Sequence, residues 1–361
     1  MNIVGIHLEP GAVGWHRVWC WTEAMKRLGH KVWHRPHAGT QFEWYEIDNI
    51  VRDADVVIAG RMHSAQVFAA LLAGRKLYRY KLVVDIDDNS DEIPVYNQAF
   101  ADYHSGAGSS RLIRAELREA DLVTVSTPPL AAWAGQYAKR IVVVPNVIDT
   151  RPYANVRTRD KETRHANDVR IYWGGGGGHY DDLLLVKDAL LRIFRERSNV
   201  KLVFSNFIPD WAADLPPFRV FMIRFAHFNA YPKVLRWLQA DVALAPLVDN
   251  AFNRCKSNVK YLTYAMGHVP AVYQDLTPYD SVIDGVTGLK AGDWYDKIST
   301  LLDNPVLREQ IVSQAKHDVL QKFTVDNWEH RYEAMLNELV TAPKVEIVPL
   351  VEGEIIPCQT L

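Results

Sequence analysis

Short apolar runs alternate with longer amphipathic stretches from one end of the chain to the other. NIVGIHL, KVWHR, DADVVIAG, KLVVDID, DLVTVST and RIVVVPN read as strands in the stretch up to residue 150. Most of these runs are apolar almost throughout instead of alternating in and out, the pattern of strands covered by helices on both faces. Between them VWCWTEAMKRLGH reads as a helix closing at Gly29, where glycine suits a left-handed cap, and HSAQVFAALLAG as another. The rhythm is that of βαβ units building a parallel sheet.

From Thr150 to Asp168 the pattern breaks into TRPYANVRTRDKETRHAND, polar and charged without a hydrophobic period, which reads as an interdomain linker. The alternation then restarts with VRIYWG, a glycine run, DDLLLVKDALLRIFRERS, NVKLVFS, YPKVLRWLQA and DVALAPL. The expected division is an N-terminal domain over 1–150, a linker over 151–168, a second domain over 169–324, a C-terminal helix over 325–340 and a tail over 341–361. Two successive Rossmann-like halves account for this α/β pattern.

The chain has 361 residues, 48% hydrophobic and 23% charged, enough apolar surface to offset chain entropy over nearly its whole length. Lys and Arg number 41 against 43 Asp and Glu, so no global positive field draws the protein to nucleic acid or anionic lipid. Three widely spaced cysteines indicate neither a disulfide framework nor a zinc site. Without a signal-like start or a long uncharged apolar run, a cytoplasmic protein is expected.

Five glycines, Gly174, Gly175, Gly176, Gly177 and Gly178, follow the strand VRIYW and precede a helix. Glycine lets a backbone approach a ligand with its amides, and a helix start adds partial positive charge, so the loop is a place for phosphate. The alternative is a flexible connection. His179 and Asp182 beside it can orient a sugar or phosphate, or cap the helix. A second turn, Gly11 to Gly14, leads into Trp15, His16 and Arg17, with Arg17 offering a forked donor to an anion. In FNRCKSNVK, Arg254 and Lys256 precede a helix start capped by Ser257 or Asn258, a second diphosphate cradle or else an exposed basic turn. Asp85, Asp87 and Asp88 end a strand, where close carboxylates hold a divalent ion, act as a base or cap a loop. His63 follows DADVVIAG as an acid, a base or a hydrogen-bond donor, or as an ordinary loop histidine.

Taken in order, DADVVIAG, VVDIDDN, DLVTVSTPPLAAW, VVVPNVID, IYWGGGGGHYDDL, FNRCKSNVKYLTYAMGHVP and DGVTGL resemble nucleotide-sugar glycosyltransferases of the two-domain GT-B type. The resemblance is greatest to the retaining group often called family 4, in versions found in bacterial and phage genomes. It implies two facing Rossmann-like domains with a deep cleft, the donor held by the second domain and the acceptor by the first. Residue by residue, it places Gly174 to Gly178 near the donor diphosphate, Arg254, Lys256 and Ser257 in the FN-x-x-KS segment, Gly11 and Gly14 facing the transferred sugar, and His63 beside that sugar. Many members carry two glutamates separated by seven residues, the second on the nucleotide ribose; here those slots read Cys255 and Thr263.

The expected activity is transfer of a hexose from an NDP-sugar, foremost a UDP-sugar such as UDP-glucose, to a hydroxyl acceptor with retention. His63, Asp87, Arg254 and Lys256 are the catalytic candidates. Donor binding falls to Gly11, Gly14, the pentaglycine run, His179, Ser257, Asn258 and Thr263. No metal or cofactor is expected to be required. The acceptor class is open among DNA, glycan, lipid and protein. The stretch Arg75 to Lys81, basic and aromatic, would suit a phage enzyme acting on hydroxymethylated DNA, or is a solvated helix end. The rival reading is a catalytically silent GT-B module that binds a nucleotide or sugar.

Overall fold

The computed structural model describes residues 1–7, 11–34, 46–62, 64–154, 168–224 and 230–342. Twelve strands form two separate sheets among these residues. The first contains β1 (Asn2–Ile6), β2 (Lys31–His34), β3 (Val56–Gly60), β4 (Lys81–Ile86), β5 (Leu122–Val125) and β6 (Ile141–Val143), in the order β2-β1-β3-β4-β5-β6. The second contains β7 (Val169–Trp173), β8 (Val200–Ser205), β9 (Val220–Ile223), β10 (Val242–Ala245), β11 (Ala271–Gln274) and β12 (Leu289–Ala291), in the order β12-β11-β10-β7-β8-β9. Every strand pair is parallel. Strands β3 and β5 are buried at each position, as a sheet covered on both faces requires.

In each sheet the central strands start beside the first-formed one and the order reverses there, the switch point where α/β folds open a crevice at the strand carboxyl ends. The chain after β1 enters a helix whose first turns run Ala12–Gly14, whose middle Trp15–Trp19 is π-helical, and whose last part is Cys20–Arg27. It ends as the glycine predicts. Gly29 has φ 90°, and the amides of Gly29 and His30 bond back to the carbonyls of Lys26 and Met25.

The two lobes are tied by the chain crossing twice at one place. The amide of Ile148 donates to the carbonyl of Phe323, and that of Val325 to the carbonyl of Ile148. The helix Val325–Thr341 then lies on the first lobe, with Tyr332 stacked on Trp21 at 4.6 Å between ring centroids and Glu333 on His30. Its buried side chains Val325, Tyr332, Leu336 and Leu339 join the first-lobe cluster of Trp19, Trp21 and Met25, so the C-terminal helix is part of the first lobe's core. Of the expected linker, 155–167 lie outside the described residues, as do 343–361 of the expected tail. Among the described residues no helix is long and apolar enough to cross a membrane.

Candidate functional site

A cavity of about 330 Å³ lies between the lobes. That is within the range of small-molecule sites, at its lower end. The first lobe contributes Ala12, Trp15 and His16, and the crossing segment contributes Ile148, Asp149 and Tyr153. The second lobe contributes Gly174, Gly175 and His179, the ends of β8 and β9 at Ser205, Asn206, Ile223 and Arg224, and Lys260 and Thr263.

The glycine run divides its work. A Cβ on Gly175 would lie 2.4 Å from the Trp173 ring, and one on Gly174 would lie 2.8 Å from the Tyr172 hydroxyl. The strand's own aromatic residues thus demand glycine at the turn. The Gly174 amide is taken by the Tyr264 hydroxyl at 3.2 Å, whereas the amides of Gly175 and Gly176 have no partner among the described residues. Gly177 and Gly178 face the other lobe, where Gln98 and Asn97 leave no room for a side chain at Gly177 and little at Gly178. Only the first part of the run borders the cavity.

His179 heads the helix Tyr180–Glu196 and its Nδ1 lies 2.6 Å from Asp182 Oδ2. Asp182 is itself buried and also accepts from the Val248 amide and from Asn253 Nδ2. Burial, with help from Lys260, lowers the His179 pKa to about 4, so the ring is neutral and its Nδ1–H donates to Asp182.

Two cations line the cavity, Arg224 at the end of β9 and Lys260, and of these Lys260 has the buried charge. Its ammonium is buried, has no hydrogen-bond partner among the described residues, and sits 5.2 Å from the centre of the Trp173 ring. Burial pushes its pKa down to about 8; the Asp182 carboxylate works against that shift and the positive charge of Lys256 works with it. An unpaired buried ammonium is costly unless something anionic completes it. Lys260 closes the FNRCKSNVK segment, but nothing in the spacing separated it from Lys256, one helical turn earlier.

The two cations singled out from the sequence are engaged elsewhere. Arg254 is exposed and forks onto Asp249, at 2.5 and 2.8 Å, outside the cavity lining. Lys256 reaches across to the first lobe and pairs with Asp88 at 3.0 Å. Burial works against the Asp88 charge, and Lys256 with Arg61 more than offsets it, holding that carboxyl below its ordinary value. Around this pair Thr127 donates to the Cys255 carbonyl at 2.7 Å, Asn146 Nδ2 donates to Ser257 Oγ at 2.6 Å, and Asn250 Nδ2 donates to the Tyr96 hydroxyl at 2.9 Å. The Cys255 side chain packs into the first lobe's core. The segment expected as a diphosphate cradle is therefore the seam between the lobes.

The three aspartates part company in the same way. Asp85 receives both arms of the Arg17 fork, at 2.9 and 2.7 Å, and the Thr124 hydroxyl at 2.6 Å. The anion that Arg17 was expected to recognise is thus a side chain of the protein. Asp87 lies 3.8 Å from Arg61, and Asp88 belongs to Lys256. Among the described residues no group of three His, Cys, Asp or Glu side chains is placed to hold a metal ion.

Other expected positions scatter. Gly11 and Gly14 begin the first-lobe helix without lining the cavity, while their neighbours Ala12, Trp15 and His16 do. His63 lies outside the described residues. Asn258 heads the helix Val259–Met266 and its side chain donates to Ser281 Oγ at 3.1 Å. Thr263 lines the cavity, but its hydroxyl donates to the carbonyls of Val259 and Lys260 in its own helix. In the basic and aromatic stretch, Arg75 pairs with Asp121, the Tyr78 hydroxyl donates to Asp48, and Tyr80 is buried, so this part of the stretch is tied into the lobe.

No family model matches the chain, and no curated protein does at the level of sequence. Solved structures do match its fold. HepE of Anabaena, in complex with UDP and glucose, superposes with a TM-score of 0.65 at 14% identity, covering 93% of this chain and 98% of that one. A glycosyltransferase from Rickettsia africae gives 0.61 at 12% identity, over 94% and 99%. The sucrose-phosphate synthase of Thermosynechococcus elongatus gives 0.63 at 12% identity, over 94% and 98%. With the likeness spanning nearly all of each chain, and with two parallel six-stranded sheets facing one cavity, the protein has the two-domain α/β fold called GT-B.

Proposed function

We propose that the protein is a glycosyltransferase that moves a hexose from an NDP-sugar, foremost a UDP-sugar, to a hydroxyl acceptor. The observation that carries this reading is a cavity walled by both lobes whose lining includes the Lys260 ammonium, without a hydrogen-bond partner among the described residues, and Gly175, whose amide is likewise open. A leaving diphosphate gains negative charge as its bond to the sugar breaks, and fixed amides with a desolvated ammonium stabilise that charge. The fold likeness to HepE, in complex with UDP and glucose and with UDP-glucose, supports the same class of donor. Retention at the anomeric carbon follows from the sequence resemblance. In this proposal the counter-charge comes from Lys260 and the loop, with no metal ion required.

The test is incubation with UDP-, GDP- and TDP-glucose, with and without simple sugar acceptors, following release of the nucleoside diphosphate. Release that persists in a metal chelator is expected. A protein that neither releases a nucleoside diphosphate from any of these donors nor binds any of them sinks the proposal. A second reading, a silent nucleotide- or sugar-binding module, is favoured by Thr263, whose hydroxyl is spent on its own helix where a carboxylate would hold a ribose. Calorimetry showing tight donor binding with no turnover selects it.

A further inference from the structure

Resting on the donor reading above, we propose that His16 is a sugar-binding residue that accepts a hydrogen bond from a hydroxyl of the transferred hexose. His16 sits in the π-helical turn Trp15–Trp19, and such turns widen a helix and re-aim its side chains. Its Nδ1 lies 3.2 Å from the Val147 carbonyl, which can only accept, so Nδ1 carries the proton and donates. The imidazole is only 8% exposed, yet it lines the cavity. Among the described residues the ring's hydrogen bond is made by Nδ1, which leaves Nε2 for the cavity. Burial, with Arg17 acting in the same direction, lowers the pKa to about 4, so near neutral pH Nε2 is a lone pair and not a second donor.

That chemistry selects the ligand group. A bare acceptor repels phosphate oxygens and has nothing to offer a carbonyl, whereas a hydroxyl can donate to it. His179 presents a similar arrangement from the opposite lobe, its Nδ1–H fixed on Asp182 and its ring in the cavity lining. Two acceptors thus serve one cavity, one from each lobe, while the cation Lys260 and the open amides belong to the second lobe. A donor whose diphosphate rests on the second lobe projects its sugar toward the first, where His16 is the polar side chain contributed by the helix after β1. So weak a base takes no proton from an acceptor alcohol, and the role is recognition.

The experiment compares binding of UDP, GDP and TDP, each alone and as its glucose conjugate, by calorimetry to wild type, His16→Asn and His16→Gln. Asn keeps a donor for Val147 and removes the acceptor from the cavity; Gln restores an amide oxygen near the place of Nε2. The expected result for His16→Asn is unchanged affinity for the free nucleoside diphosphate and an affinity for the glucose conjugate lower by about tenfold, one hydrogen bond's worth, with partial recovery in His16→Gln. Deoxyglucose donors then identify the hydroxyl: the one whose absence makes wild type and His16→Asn equal is the partner. Retained binding of the free nucleotide shows that the variants are folded. Equal loss for nucleotide and conjugate, or no loss for the conjugate, overturns the assignment. Wild type that binds no nucleoside diphosphate overturns the donor reading itself, a result distinct from either.

Discussion

The two lobes repeat one architecture but treat their polar groups in opposite ways. At the carboxyl ends of the first sheet the charges are matched within the protein: Arg17 to Asp85 and Asn146, Asp87 to Arg61, Asp88 to Lys256 across the seam. At the same ends of the second sheet, two loop amides and the Lys260 ammonium are left without a partner. Matched charges fix a wall; an unmatched one marks where a ligand completes the protein.

The contrast is broken most severely on the matched side. Asp85→Ala leaves the Arg17 guanidinium, 2% exposed, with carbonyl and amide partners but without the carboxylate its fork is bonded to, Asp87 acting on it only through space. Removing one member of a buried ion pair costs about 3–5 kcal/mol. Chemical denaturation should show a loss of that size, and a variant as stable as wild type contradicts the structural role assigned to the pair.

On the unmatched side the signs of stability and binding should separate. Lys260→Met removes an ammonium whose pKa is pushed down to about 8, so the empty protein should melt a few degrees higher while affinity for a nucleoside diphosphate falls by about 100-fold. The pH dependence follows from the same group. Between about 8 and its ordinary value of 10.5 the unfolded chain holds more protons at this site than the folded one, so the stability of the empty protein gains from Lys260 as pH rises. Anion binding favours the protonated form, so donor affinity is full below pH 8 and falls above it. Wild-type affinity that stays flat from pH 7 to pH 10 excludes Lys260 as the phosphate partner.

Much of the fold was legible because its signals are local. Apolar runs gave most of the strands, though not the edge strand β9, Gly29 gave the helix end at φ 90°, and the pentaglycine run pointed to one wall of the cavity. The pairing of charges was not legible, because it is decided by packing between distant segments: 68 positions separate Arg17 from Asp85, and 168 separate Lys256 from Asp88. Arg17 and the FN-x-x-KS cations looked like anion binders since nothing in their own neighbourhood announced a carboxylate from elsewhere. Lys260 and His16 lie in segments where an arginine, Arg254 or Arg17, is the more conspicuous anion binder by residue type. What distinguishes them is burial, which depends on where the helix Val259–Met266 begins and on the π-helical turn after Gly14. A local hydrophobic period fixes neither feature to the nearest residue.

Smaller effects sharpen the comparison at the seam. Lys256→Met and Asp88→Asn each break a partly exposed pair, at about 1 kcal/mol of interaction between the lobes. If the pair is a lobe contact and not a donor contact, the two variants should change stability by similar amounts and leave nucleoside diphosphate affinity within about twofold of wild type. A fall of tenfold or more in Lys256→Met alone returns Lys256 to the phosphate site.

The mildest substitution is Arg254→Ala. Its guanidinium is held by Asp249 on an exposed surface, and ion pairs in water contribute little because solvent already satisfies both charges. The seam side chains around it, Phe252, Asn253 and Cys255, are buried and would keep the segment in place without it. The variant should match wild type in melting temperature, in nucleotide affinity and in any transfer rate. Were transfer to slow while binding held, the arginine would have to swing from Asp249 into the cavity during the reaction, and the division between a matched wall and an unmatched one would apply only to the empty protein.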